Sequence, residues 1–462
     1  MTMIVRVGVG RSGAMTDVAR PAGPAPIRRS PGGAVSPGDA LAATGPALVA
    51  LACLLAGALG FATYAPYGPE AAFGIAVGAT AVVAMSQTLI LAARPRPLEP
   101  LFGGLDRMYR VHKWLGISAL GLMILHDLAE PDFERAVRET GLGELAGEAG
   151  ELAFNALIAL IAISWFRKLP ILGLEIPYQL WRFGHRFMGV LFAVVVFHQL
   201  LVDLPSGVDP TLSRLLNAFG VAGLIAWVHA EFLAPRLRRR DYAVAAVDRQ
   251  GDAAVVTLTP KGRAMRWRPG QFAFLRAPEA GSSEPHPFTI SSAPRADGSL
   301  TLSIKALGDW TRRVPGALRE GMSVQVEGPY GRFDFRRGGP RQIWLAGGIG
   351  VTPFLAWAES LEATERRDIH LVLCVRRPED AVGLETLRAA AARVPRFSFE
   401  VAATARDGRL TAERLVASAP FPVEEAELWF CGPTGLKDGI LAGLKTIGRT
   451  PRRVRFEHFE FA

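Results

Sequence analysis

VHKWLGISALGLMILHDLA, residues 111–129, is an apolar run with a histidine near each end, His112 and His126. At ~1.5 Å rise per residue it can cross the ~30 Å hydrocarbon core of a bilayer as a helix. An ionisable side chain in such a run is costly, so both histidines are candidate functional groups. A second run, HRFMGVLFAVVVFHQLLVDL at residues 185–204, repeats the pattern with His185 and His198. Half of the eight histidines therefore sit in two predicted spans.

Working outward, apolar density predicts further spans near 45–64, 71–93, 152–166 and 213–233, which makes a six-helix transmembrane bundle over 45–235. Arg94, Arg96, Arg107, Arg110, Lys113, Arg167, Lys168, Arg182, Arg186 and the run from Arg236 to Arg240 fall on one side. Asp127, Glu130, Asp132, Glu134, Asp203 and Asp209 dominate the other. Basic loops stay inside, so both termini are expected in the cytoplasm of a multi-pass protein of the plasma or inner membrane.

The third and fifth spans then run in the same direction. His112 meets His185 at the inner level and His126 meets His198 at the outer, each pair about 20 Å from the other along the helix. Two neutral imidazoles are the axial set of a b-type haem, so the pattern predicts two stacked haems. Gly116, Ser118, Ala119 and Gly121 would let a flat macrocycle lie close to the helix, and Arg110, Lys113, Arg182 and Arg186 would meet propionates. At ~100° per residue, 14 residues return within about 40° but 13 miss by about 140°. The fifth span must therefore twist, tilt or present its haems from different sides. The plainer reading makes these interface histidines bonded to neighbouring helices. His229 lacks a partner at its depth and reads as structural.

The chain has 462 residues, 50% hydrophobic and 21% charged, with a formal charge of +9 and three scattered cysteines. These values exclude a small module, a disulfide scaffold and structural zinc. The positive balance is explained by the basic loops, so no nucleic-acid partner is expected. Residues 1–44 lack a signal peptide's apolar core and cleavage site and read as a disordered, uncleaved cytoplasmic tail.

From Asp241 the texture changes to short alternating strands such as Ala254 to Leu258 and Leu300 to Lys305, which predicts an antiparallel β-barrel over 236–338. After Arg341, strand, glycine turn, helix, strand and helix alternate, which predicts an α/β nucleotide-binding domain over 339–462. Three motifs stand in this half: HPFTISS (His286 to Ser292, with PGQF at Pro269 to Phe272 upstream), GDWT (Gly308 to Thr311) and LAGGIGVTPF (Leu345 to Phe354). A flat apolar ring system wants an aromatic neighbour and a few fixed polar contacts, and a glycine turn opening a helix receives phosphates.

Together these residues resemble the membrane ferric reductases and NADPH oxidases, whose soluble half is similar to ferredoxin–NADP reductase. The resemblance implies an FAD site built from His286, Pro287, Phe288, Thr289 and Ser292. In it His286 faces the pyrophosphate, Phe288 packs on the isoalloxazine and Thr289 bonds near N5, with Gly308, Trp310 and Thr311 at the diphosphate. It also implies a dinucleotide over Gly347, Gly348 and Gly350, with its nicotinamide beside Thr352 and the Cys431 and Gly432 of a CGP turn. An aromatic near the C-terminus would cover the flavin, with Phe459 the choice and Phe461 the alternative. Thr289, Thr352, Cys431 and Phe459 are thus the catalytic candidates. Arg376, Arg377, Thr404 and Arg406 follow the second and third strands and favour NADPH over NADH, because arginine forks match a 2′-phosphate.

The expected activity is that of an NAD(P)H-dependent flavohaem transmembrane oxidoreductase, passing electrons from NADPH through FAD and two haems to an outer-face acceptor. Superoxide-forming relatives carry a second histidine four residues beyond the outer haem ligand and an arginine in the second span. This chain has Glu130 at the first place and no arginine between Gly45 and Ala93. That departure favours ferric iron or another metal chelate as acceptor. A superoxide-producing oxidase using oxygen is the alternative, and a haem-handling or transport membrane protein is the reading from another class.

Overall fold

The computed structural model describes residues 37–457 apart from 130–132, 134–136, 139, 166–167, 170–173, 176–177 and 206. Phe459, Phe461, Glu130 and most of the predicted tail lie outside the described residues, although the first helix begins at Pro37, inside the stretch read as tail. The membrane half consists of α1 (Pro37–Tyr64), α2 (Pro69–Ala92), α3 (Leu105–Leu128), α4 (Gly143–Trp165), α5 (Tyr178–Arg186), α6 (Met188–Leu201) and α7 (Thr211–Val228). Pro69 opens α2 at the helical position where its missing N–H costs nothing, after Gly68 at φ +106°. The middle of α2 is buried against α1, α3 and α7, while Leu54, Leu152 and Ile225 project apolar surface outward, as a lipid solvent requires.

Five described segments are long and apolar enough to cross a membrane: Ala40–Tyr67, Pro69–Ala92, Gly143–Ser164, Leu180–Leu201 and Thr211–Leu237. Five of the six expected spans meet that measure among the described residues. The exception is α3, which has the length, with 24 residues, but is diluted by Asp106, Arg107, Arg110, Lys113 and Asp127 and by the two histidines themselves. The fifth span is α5 and α6 joined through a break at Phe187, whose N–H bonds to Gly184 O at 3.0 Å. The indole of Trp227 occupies the space a side chain at Gly189 would need and donates to Arg186 O. His185 and His198 therefore stand on either side of a local tightening of the span, at a residue that keeps helical dihedrals.

The first soluble unit is a six-stranded antiparallel sheet of β1 (Arg239–Gln250), β2 (Ala253–Pro260), β3 (Phe272–Ala277), β4 (Ser282–Thr289), β5 (Leu300–Lys305) and β6 (Ser323–Tyr330). Its order is β4-β3-β6-β1-β2-β5, and a bridge between Ile290 and Leu302 links its two edges. Alternate residues such as Tyr242, Val244, Val256, Leu258, Leu300, Leu302 and Val326 point into one core, closed by Trp310 and Val314 of helix α8 (Asp309–Ala317).

The second unit is a parallel sheet of β7 (Arg341–Gly347), β8 (Asp368–Val375), β9 (Phe397–Ala403), β10 (Glu427–Cys431) and β11 (Arg453–Glu457), in the order β9-β8-β7-β10-β11. Helices α9 (Thr352–Ser360), α10 (Leu384–Arg393) and α11 (Thr434–Thr446) cross over between strands. Strand order reverses between β7 and β10, and ligands of such sheets bind at the carboxyl ends flanking that point. Phe333 and Phe335, from the linker, pack with Trp357 and Trp344 and fasten the two units together.

Candidate electron-transfer sites

Three of the four span histidines are fixed through Nδ1 to a backbone carbonyl: His112 to Thr88 O at 2.9 Å, His126 to Gly74 O at 2.8 Å and His198 to Ala146 O at 2.8 Å. His185 Nδ1 lies 3.4 Å from Ser164 Oγ. The partners belong to α2 and α4, so two helices without candidate ligands orient those that carry them. A carbonyl only accepts, so Nδ1 of those three rings holds the proton and Nε2 keeps its lone pair, the tautomer that binds a metal.

The rings of His112 and His185 are 6.2 Å apart and inclined at 71°. That is about the space of an iron held between two imidazoles with ~2 Å metal–nitrogen bonds, so these residues fit a bis-histidine haem. Trp181 stacks on His185 at 5.1 Å, and Tyr109 meets His112 edge-on at 6.1 Å. A Cβ on Gly78 would come 2.7 Å from His126 Nδ1, and one on Gly150 would come 2.5 Å from His198 Nδ1. The two glycines thus make room for the second pair. Among the described residues no group of three or more His, Cys, Asp or Glu gathers as a metal cluster.

In the antiparallel unit, His286 and Phe288 on β4 pack with Trp310 at 4.6 and 5.5 Å, and the indole N–H of Trp310 is tied to Ser282 Oγ at 2.7 Å. Burial lowers the His286 pKa, against the opposing pull of Glu284. Thr289 is buried and its hydroxyl has no hydrogen-bond partner among the described residues, the condition a polar ring edge would relieve. The structure assigns other work to two predicted contacts. Ser292 Oγ accepts from Thr301 N at 3.0 Å and so fastens the sheet's edges. Thr311 Oγ1 accepts from the amides of Leu307 and Gly308 at 2.9 and 2.8 Å, so it already caps donors that the sequence offered to a diphosphate.

At the sheet's switch point, the turns after β7 and β10 touch. A Cβ on Gly432 would sit 2.8 Å from Gly347 Cα, and one on Gly350 would sit 2.3 Å from Cys431 O. Gly348 has φ +55°, and Thr352 is buried as the first residue of α9. Burial first, and Glu457 second, push the Cys431 thiol well above its ordinary range, so it stays protonated and is no nucleophile. Glu457 pairs in register with Cys431; its Oε2 is buried without a partner and its carboxyl is itself pushed well upward by desolvation. Sequence reasoning passed over Glu457, although a carboxyl within the aromatic FEHFEFA run was a usable signal.

Arg376 and Arg377 line a cleft of about 390 Å³ with Lys305, Asp252 and Asp380. Arg377 is held by Asp380 at 2.9 Å and Arg406 by Asp407 at 2.7 Å. Arg376 pairs with no carboxylate among the described residues, and its carbonyl accepts from Ala405 N, next to Thr404.

The residue most thoroughly missed is Arg94, which the sequence places only among basic loop residues. It alone of the described non-glycine residues has positive φ, +51°. Its Nε donates to Tyr109 Oη at 2.5 Å, its Nη1 lies 3.7 Å from Glu327 Oε1, and its guanidinium covers the Phe274 ring at 4.6 Å. Glu327 also accepts from Tyr330 Oη at 2.9 Å. Around this hub Arg96 donates to Gly328 O, Gly331 N to Glu99 Oε1 and Arg238 to Ala93 O. The α2–α3 connection is thereby joined to β3 and β6.

Residues 77–196 match the ferric reductase like transmembrane component, and residues 240–334 match an FAD-binding domain. The toluate 1,2-dioxygenase electron transfer component of Pseudomonas putida is 27% identical over 221 residues, covering 46% of this chain and 65% of that protein. The mitochondrial ferric reduction oxidase 8 of Arabidopsis thaliana is 34% identical over 143 residues, covering 28% and 20%. NADPH oxidase 3 of Homo sapiens is 36% identical over 124 residues, covering 24% and 21%. The chain spans less than two thirds of the length of each. A solved ferredoxin reductase in carbazole 1,9a-dioxygenase aligns over 48% of this chain and 69% of its own, with TM-score 0.40 and 22% identity. Fold and domain matches together define a multi-pass membrane protein with an FAD-binding unit followed by a parallel α/β unit. By its domain matches and relatives, the chain is similar to the ferric reductases and NADPH oxidases.

Proposed function

We propose that this protein is an NAD(P)H-dependent transmembrane oxidoreductase that delivers electrons, by way of FAD and two b-type haems, to ferric iron or another metal chelate across the membrane. The carrying observation is the set of four span histidines, three of them fixed through Nδ1 so that Nε2 is free to ligate. FAD, when bound, supplies the change from a two-electron hydride to single electrons that the haems accept.

The chain's own residues do the rest. His286, Phe288 and Trp310 form the aromatic wall for the flavin, and Thr289 offers its unpartnered hydroxyl to the ring edge. The edge bridge of Ile290 and Leu302 would close the sheet into the barrel that holds it. The touching turns at Gly347, Gly350 and Gly432 leave backbone amides for the dinucleotide, Thr352 and Cys431 border the nicotinamide, and Arg376 is the available cation for a 2′-phosphate, which favours NADPH. Phe459 is the aromatic assigned to cover the flavin. The basic loops favour a cytoplasmic position for this half and for both termini.

The full chain in nanodiscs, loaded with haem and FAD, should show a Soret band and NADPH-dependent bleaching of the flavin. It should oxidise NADPH faster with ferric chelate than with oxygen alone. A dismutase-sensitive signal without acceleration by iron would overturn the choice of acceptor. A preparation without Soret absorption after haem supplementation would overturn the haem assignment.

A further inference from the structure

Four cations gather where the chain leaves the membrane. The last span ends at Leu237, and β1 starts at Arg239. The turn after β2 folds back beside this exit, with Lys261 N donating to Asp241 O at 3.0 Å and Pro260 paired with Tyr242. The result is a cleft of about 370 Å³ walled mainly by Arg239, Arg240, Asp241, Lys261, Arg263 and Ser323.

Their charge is not cancelled within the protein. Among the described residues Arg240 donates only to the carbonyls of Leu237 and Arg239, Lys261 Nζ donates to Ser323 Oγ, and Arg239 Nε is buried with no partner. Arg239 is also close enough to Arg276 on β3 to repel it. Among the described residues none of the four cations has a carboxylate ion pair, and Asp241 is the one acid in the wall. Cofactor phosphates do not account for this surplus, because the flavin and nucleotide motifs lie on β4, α8 and the carboxyl ends of β7 and β10.

Position supplies the occupant. At ~3.3 Å per residue, Asp241 is at most about 13 Å along the chain from the end of the span, which is headgroup depth. Basic clusters directly beyond a membrane helix gain attraction from anionic lipid. We propose that this cleft binds a phosphate anion presented by the headgroup of an anionic phospholipid in the leaflet adjoining the soluble half. The bound lipid would pin the start of β1 against the bilayer and so help seat the sheet on the α2–α3 connection.

The test uses the full chain purified in detergent and native mass spectrometry, with phosphatidic acid, phosphatidylcholine and inorganic phosphate as probes. Phosphatidic acid should stay bound and phosphatidylcholine should not. Removing a cation should weaken binding about fivefold, so Lys261→Ala with Arg263→Ala should weaken it about 25-fold. The double variant Arg388→Ala with Lys445→Ala changes net charge equally but lies away from the cleft, and should bind as the wild type does. Flavin content checks that each variant is folded, and Lys261→Gln alone serves if the double variant is not. Equal adducts in wild type and the cleft variant, equal weakening in both double variants, or displacement by equimolar inorganic phosphate would each overturn the lipid site.

Discussion

Glu457 is a carboxylic acid placed where a carboxylate would be expelled. Its Oε2 is buried without a partner, and desolvation, aided by Asp106 and Glu99, pushes its pKa well upward. Unfolded, it ionises near ~4.3; folded, it keeps its proton far above that. In the interval the native state holds a proton that the unfolded chain has lost, so stability is full below ~4.3 and falls as pH rises toward the folded value. Each pH unit in that window costs up to about 1.4 kcal/mol. Glu457→Gln keeps the size and hydrogen-bonding capacity of the neutral acid but cannot ionise. Thermal melts across pH should show the variant gaining on the wild type as pH rises above the ordinary carboxylate range. Parallel pH profiles would mean that the folded chain does not hold this proton.

Among the elements, α4 contributes no candidate ligand yet determines where one sits. Its Ala146 carbonyl orients His198, and its Gly150 leaves room for the ring. Gly150→Val should drive the imidazole aside and empty the proposed outer haem site, halving the haem-to-flavin ratio read from pyridine haemochrome and flavin absorbance. Gly147 lies on the same helix with nothing within 4 Å of an added Cβ, so Gly147→Val should preserve the ratio. Apolar runs and glycine turns were legible in the sequence because they are local: length and composition predict a span, and GGIGVTPF predicts a strand-to-helix turn. The break between α5 and α6 was not, because no local motif marks Phe187 and only the fold brings Trp227 of α7 beside Gly189 and Arg186 O. Nor was the capping role of Thr311, since one GDWT sequence serves equally for a phosphate or for its own amides. The helix α3 was legible through the two histidines that dilute its apolarity.

At the scale of the whole molecule, the two halves meet through an apolar patch of Leu91, Phe102, Leu105, Met108, Phe272, Phe274 and Tyr330, with Arg94 among its rings. No sequence window could reveal this hub, because Arg94 finds Glu327 more than two hundred residues away. One side of its guanidinium touches Phe274 and Glu327 of the flavin-binding sheet; the other touches Tyr109, whose ring abuts His112. Arg94→Met would leave Glu327 partly paired with Arg276 and would cost about 2–3 kcal/mol, below the ~3–5 of a fully buried pair because Arg276 and Tyr330 remain. That cost falls on the seating of one half upon the other, not on either fold. Stopped-flow with NADPH should therefore show flavin bleaching at the wild-type rate while haem reduction slows severalfold. Arg94→Lys restores charge but not the planar fork, so its haem reduction should be intermediate. Equal slowing of flavin and haem would place the damage inside the flavin unit, and unchanged rates in both would show that the contact does not govern how the halves are seated.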